Sequence, residues 1–275
     1  MMRYITPSKF SKSGGCCKFL NHLCNKKRIN LSNSDRINPN FGQNSSQRAG
    51  DIVHKIVQYA LEGDDIYQRK ERIKKIENII VKIKLDFEIN NHLDEIIGNE
   101  NHLDGVIHDL TIKKIITETL PLINGAIKLL RKIEDMVPNS ENKWTVTSEG
   151  ETKGINDTKI KILGEEMTLH GSIDLVFEYK KFAVICELKT GTPEDYKIKK
   201  WELQTQMMAK AWKIKHPNNK ILAYIINSEL KNGRREVEIK NSTVDELQNK
   251  DIIEVIPGFH CRECPESHTC KFSEI

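Results

Sequence analysis

Between residues 169 and 191 the chain reads LHGSIDLVFEYKKFAVICELKTG, a stretch that few folds can accommodate. Two apolar, β-branched runs, 171–177 and 182–188, flank a charged break at 178–181. Runs of that length joined by a short polar turn predict a β-hairpin. The second run stays apolar until Glu187 and Lys189. Residues two apart on a strand project from one face, about 6–7 Å apart. Glu187 and Lys189 are thus expected to point together while Leu188 faces the other way. Asp174 interrupts the first strand, and the hairpin brings it near Glu187. Two carboxylates so close repel unless a cation lies between them, and oxygen ligation suits Mg²⁺ or Mn²⁺. An isolated Glu-x-Lys is ordinarily an ion pair and nothing more. Here the charges sit in apolar strands, where an uncompensated one costs roughly several kcal/mol, and that cost favours a built site.

GSIDLVFE followed by AVICELKTG resembles motifs II and III of the PD-(D/E)XK nucleases. It is most similar to their RecB-like branch, in which a D…(D/E)xKTG pattern recurs, with Ile173–Asp174 standing where the proline–aspartate pair is usual. The resemblance implies an α/β, restriction-endonuclease-like core, a mixed β-sheet flanked by helices. It further implies a metal-dependent deoxyribonuclease in which Asp174, Glu187 and Lys189 are catalytic. Asp174, Glu187 and the Leu188 carbonyl would be metal ligands.

The flanking regions extend that likeness. RAGDIVHKIVQYAL, 48–61, has apolar residues at helical spacing with His54 near its start. A lone histidine there is ordinarily a packing residue, but Gly50 and His54 resemble the GxxxH of motif I, which implies a metal-ligating role for His54. An imidazole ligand favours Mn²⁺ over Mg²⁺. Residues 199–214, KKWELQTQMMAKAWKI, predict a helix with Leu203, Met207 and Ala211 on its apolar face, beside Trp201 and Met208. This resembles the QxxxY helix of the same branch. The likeness places Gln204 at the catalytic glutamine, with Gln206 as the alternative register and Met208 where tyrosine is usual. Residues 66–97 and 105–136 read as helices with solvated charged faces. In the resembling family a helical insert at this place guides single-stranded DNA. Strands are expected at 144–151 and 159–163, leading into the hairpin, and a further hairpin at 221–228 and 234–239 at the sheet edge.

Charge is uneven. Residues 1–50 hold nine Lys/Arg against the single Asp35, a net +8, while the rest, with 34 basic and 38 acidic residues, is net −4. A basic arm on a mildly acidic body fits phosphate-backbone binding and fits a solvated arm equally well. The longest apolar run, ILAYII at 221–226, is too short to span a bilayer, and no basic-then-apolar leader pattern opens the sequence. A cytoplasmic protein with no membrane partner is the expectation, and its seven cysteines read as metal ligands rather than disulfides.

Six of those cysteines fall in two groups. Cys261, Cys264 and Cys270 lie in GFHCRECPESHTC with C-x-x-C-x₅-C spacing, compact enough to converge on one centre. Cys16, Cys17 and Cys24 lie near the start, after Thr6-Pro7-Ser8. Four thiolates suit either a [4Fe–4S] cluster or structural Zn²⁺, and His260 and His268 keep a Cys₃His zinc site open. The resemblance favours the cluster. One upstream cysteine plus C-x-x-C-x₅-C resembles the iron–sulfur staple of AddB-type and CRISPR-associated RecB-like exonucleases. It implies Cys16, with Cys17 and Cys24 as alternatives, together with Cys261, Cys264 and Cys270, joining the N- and C-terminal segments. Cys186, inside an apolar run, reads as a buried small hydrophobe.

A single nuclease domain over 1–275 follows, with a basic segment at 1–50, a helical region at 51–140, the catalytic sheet and Gln helix at 141–240, and a cysteine-rich segment at 241–275. The expected activity is exonucleolytic cleavage of single-stranded DNA in repair, replication or CRISPR adaptation. Two other readings use the same residues: a non-catalytic, zinc-containing nucleic-acid-binding protein, and a restriction-type endonuclease.

Overall fold

A computed structural model describes residues 4–5, 45–85, 109–137, 139–140, 143–148, 155, 158–162, 165–169 and 171–239. In chain order the elements are β1 (Tyr4–Ile5), α1 (Ser45–Leu61), α2 (Ile66–Leu85), α3 (Asp109–Met136) and β2 (Thr145–Ser148). There follow β3 (Thr158–Ile162), β4 (Glu165–Leu169), β5 (Leu175–Tyr179), β6 (Phe182–Lys189), α4 (Asp195–Lys215), β7 (Lys220–Asn227) and β8 (Arg234–Glu236).

The central sheet has the order β2-β5-β6-β7-β8. Its β6–β7 pair is parallel and the other three pairs are antiparallel. Alternation along the strands decides which layer each residue serves. Phe182, Val184, Cys186 and Leu188 of β6, with Leu175, Phe177, Tyr224 and Ile226, pack against α1, α2 and α3. Ala183 and Ile185, with Val176, Ala223 and Ile225, pack against α4 through Trp201, Met207, Met208, Ala211 and Trp212. Because both faces are covered, β6 reads as a continuous apolar run rather than an alternating one. The fold is therefore mixed α/β, a mostly antiparallel sheet flanked by helices.

Helix α1 buries Ile52, Val53, Ile56, Val57, Ala60 and Leu61, the stripe that its spacing foretells. Helix α3 runs through Pro121, which forfeits one intrahelical bond at about 3 kcal/mol. Burial of Leu122, Ile123, Leu129 and Ile133, at about 1.5–3 kcal/mol each, outweighs that loss. No described helix is long and apolar enough to cross a membrane.

Several expected boundaries move. The first hairpin strand starts at Leu175, not residue 171, and continues through Tyr179, which pairs with Phe182. The turn is only Lys180–Lys181, with Lys180 at φ 53°. Glu178, read as part of the charged break, is a ladder residue opposite Ala183. Asp174 thus precedes the strand rather than interrupting it. The strand near 159–163 does not lead into the hairpin's sheet. As β3 it pairs with β4, which pairs in parallel with β1, in a separate three-stranded sheet of order β1-β4-β3. The Gln-bearing helix begins at Asp195, four residues early, and β8 stops at Glu236. The outer side of β2 is closed by Gly63, whose N–H donates to the Val146 carbonyl at 2.7 Å while Val146 N–H donates back at 3.0 Å.

Candidate active site

One end of β5 and β6 gathers five of the side chains singled out above. The β5–β6 register, Leu175 opposite Cys186, sets Asp174 opposite Glu187 one step beyond the last pair. Glu187 lies on the α4 face, 2% exposed. Its Oε1 accepts hydrogen bonds from the Lys189 ammonium and, at 2.7 Å, from Gln204 Nε2. The Lys189 ammonium also reaches Gln204 Oε1 at 3.3 Å, closing a three-membered ring of contacts. It is Gln204 that α4 delivers here, two turns into the helix, while Met208 is buried in the core.

Asp174 is fixed by backbone. Its Oδ2 accepts the Leu188 N–H at 2.7 Å, and its carbonyl accepts from Gln58 Nε2 at 3.1 Å. His54 Nδ1 stands 3.8 Å from the same Oδ2. His54 and Gln58 are four apart on α1, hence on one face, so a single helix addresses both the side chain and the main chain of Asp174. Leu188 itself points its side chain into the apolar layer, as strand alternation requires.

The electrostatics follow from burial. Burial, and then the negative charge of Asp174, push the Glu187 carboxyl up to about 7, against the opposing pull of Lys189. Burial works against the Lys189 ammonium too, but Glu187 and Asp174 overcome it and hold its pKa above the ordinary lysine value. Glu187 Oε2 is buried with no hydrogen-bond partner among the described residues. An orphaned carboxylate oxygen costs about 1–3 kcal/mol, more when charged. Beside a second carboxylate and an imidazole, it is the donor set a hard divalent cation satisfies. Among the described residues no three His, Cys, Asp or Glu side chains stand as a group that could hold a metal ion as they are placed. Nevertheless the donors present fit such an ion, because the orphaned oxygen and the acid–acid repulsion are both relieved by it.

Sequence reasoning missed the residues that hold the loop after Lys189. Asn227, fully buried at the end of β7, donates from Nδ2 to the carbonyls of Lys189 (3.0 Å) and Gly191 (2.8 Å). Glu118 of α3 accepts the Gly191 N–H at 3.0 Å, and burial raises its carboxyl pKa. Gly191 sits at φ +83°, a conformation that glycine adopts without strain. Gly50 is required for space: a Cβ there would stand 2.8 Å from Thr190 Oγ1. The glycine and histidine of GxxxH thus serve different ends, one admitting the loop and the other facing Asp174.

Cys16, Cys17, Cys24, Cys261, Cys264 and Cys270, with His260 and His268, lie outside the described residues. Cys186 is fully buried on the apolar face, and burial pushes its thiol pKa well up. No family model matches this chain, and no curated protein matches it.

Proposed function

We propose that this chain is a Mg²⁺- or Mn²⁺-dependent deoxyribonuclease with a restriction-endonuclease-like core, acting on single-stranded DNA ends. The observation that carries the reading is the buried Glu187, one of whose oxygens has no hydrogen-bond partner among the described residues, set opposite Asp174 and tied to Lys189 and Gln204. A five-stranded mixed sheet with helices on both faces, bearing these groups at one end of its central hairpin, supports the same reading. The likeness to RecB-like motifs I to III supplies the substrate class.

Asp174, Glu187, His54 and the Leu188 carbonyl would hold the cation. Bound there, it would lower the pKa of a water molecule and stabilise negative charge on the phosphate. The water oxygen would lose a proton and bond to phosphorus in line with the departing oxygen, whose bond to phosphorus breaks and which takes up a proton. Lys189, which donates to Glu187, would orient or deprotonate the water and offset the growing negative charge on the phosphate. Gln204 holds the Glu187 carboxylate in one orientation and offers its amide to the phosphate side. Cys16, Cys261, Cys264 and Cys270 belong to the same reading as a structural [4Fe–4S] staple, since hydrolysis transfers no electrons.

The test is anaerobic purification followed by digestion of end-labelled single- and double-stranded DNA with Mg²⁺ or Mn²⁺. Stepwise shortening of linear single strands, sparing circles, is expected, together with a brown protein that releases acid-labile sulfide. Asp174→Ala or Lys189→Ala protein that cuts as fast as wild type overturns the assignment. Zinc content with no divalent-dependent cleavage leaves a nucleic-acid-binding role instead.

A further inference from the structure

The chain leaves the central sheet directly after Lys189, and the point of departure is anchored from the neighbouring strand. Lys189 is the register partner of Asn227 in the parallel β6–β7 pair. Asn227 is 0% exposed and its amide is fully used. Nδ2 gives one hydrogen to the Lys189 carbonyl at 3.0 Å and the other to the Gly191 carbonyl at 2.8 Å, while Oδ1 accepts the Glu229 N–H at 2.9 Å. The Gly191 N–H goes to Glu118 Oε2, so both polar groups of that turn residue are held by side chains of other elements.

We propose that Asn227 is a positioning residue: it fixes the backbone root of Lys189 so that the ammonium meets Glu187 and Gln204. The inference rests on the nuclease reading for its kinetic consequence, but not for its geometry. A lysine stem has four rotatable carbons and much rotamer freedom, so its tip is placed only as well as its root. A functional constellation must be held within about 0.5 Å, which a loop with a free-running exit does not provide. Few side chains of this size can donate twice to two converging carbonyls. Aspartate would face them with negative oxygens, serine would donate once, and alanine would leave both carbonyls without this partner.

Full-length Asn227→Asp, Asn227→Ala and Asn227→Ser proteins are compared with wild type and with Ile133→Ala. The last is a cavity in α3 that lowers stability without touching the loop. Two readouts are taken. The rate of Lys189 acylation by an N-hydroxysuccinimide ester, followed by peptide mass spectrometry, needs no catalysis. Turnover and KM are measured on a single-stranded oligonucleotide. Asn227→Asp and Asn227→Ala are expected to expose Lys189 to faster acylation, and to lower kcat about tenfold to a hundredfold with KM changed less than about twofold. Asn227→Ser lies between them and wild type. Ile133→Ala lowers the melting temperature yet keeps wild-type Lys189 acylation and kcat. Wild-type acylation in Asn227→Asp or Asn227→Ala overturns the proposal. If those two do not fold, wild-type acylation and kcat in Asn227→Ser overturn it. A wild-type protein that cuts no DNA removes the nuclease reading, while the acylation rates still decide whether Asn227 positions Lys189.

Discussion

Along β6, one face ends in Cys186 and Leu188 and the other in Glu187 and Lys189. Leu188 is 0% exposed and Glu187 2%, so depth does not distinguish them. What differs is what each face asks of its neighbours. The apolar face asks for volume, and the helices α1, α2 and α3 fill it. The polar face asks for partners, and it receives Lys189 from the same strand and Gln204 from α4 for one carboxylate oxygen, with none among the described residues for the other. Equal burial therefore gives an inert leucine and a carboxyl whose pKa is pushed to about 7. A core can hide a charge; where it leaves the charge half answered, the carboxyl's proton affinity shifts, which is how functional sites are often marked.

The sharpest break between the faces is expected at Glu187. Glu187→Gln keeps the shape and removes the charge, and on the proposed nuclease reading DNA cleavage should fall roughly 10³-fold, because that reading makes Glu187 a metal ligand. Its melting temperature should hold or rise, since an incompletely compensated buried charge has gone. Wild-type cleavage by this variant would erase the distinction. On the other face, Leu188→Ala should cost about 2–5 kcal/mol in denaturant unfolding through the cavity it leaves. The activity of the fraction that remains folded should change far less than in Glu187→Gln.

The pH dependence comes next. Burial, and then the charge of Asp174, push the Glu187 carboxyl from an ordinary 4.5 up to about 7, so the native state holds this proton more tightly than the unfolded chain. The stability it contributes is present in full below pH 4.5, falls as pH rises, and is gone above about 7. The difference is roughly 3 kcal/mol. Unfolding curves of wild type and Glu187→Gln should converge at the acid end and separate towards neutrality. Parallel curves would mean that Glu187 ionises freely. The smallest effect belongs to the α1 contact. Gly50→Ala should cost about 1–2 kcal/mol through its clash with Thr190 Oγ1, and adding Thr190→Ala should recover most of it. Simple additivity in that double variant would place the loop elsewhere.

The hairpin was legible because side-chain alternation is a local property, and Glu187, Leu188 and Lys189 take the sides their numbering dictates. Its first strand was misplaced for an equally physical reason. Glu178 and Tyr179 look like a polar break, yet they continue the ladder opposite Ala183 and Phe182, while 171–174 run outside it and leave Asp174 to be pinned by Leu188 and Gln58. The supporting residues left no local trace. Gln58 lies 116 positions from its partner, Glu118 lies 73 from Gly191, and Asn227 lies 38 from Lys189. In sequence each is one polar residue at the edge of an apolar pattern. Only the pairing of β6 with β7 and the packing of α1 and α3 on the sheet assemble them. The three-stranded sheet leaves no local trace either, since β1 and β4 pair across more than half of the chain.

The short bridge between Gly63 and Val146 has a consequence for life in a crowded solution. A sheet margin with a bare row of amides and carbonyls invites a neighbouring molecule to add a strand of its own. At β2 the middle of that row is already occupied from within the same molecule, both hydrogen bonds at Val146 being spent on Gly63. The opposite margin, β8, is three residues long and carries Arg234 and Arg235. The sheet is thereby discouraged from growing in either direction, and the hairpin within it can stay apolar without recruiting copies of itself.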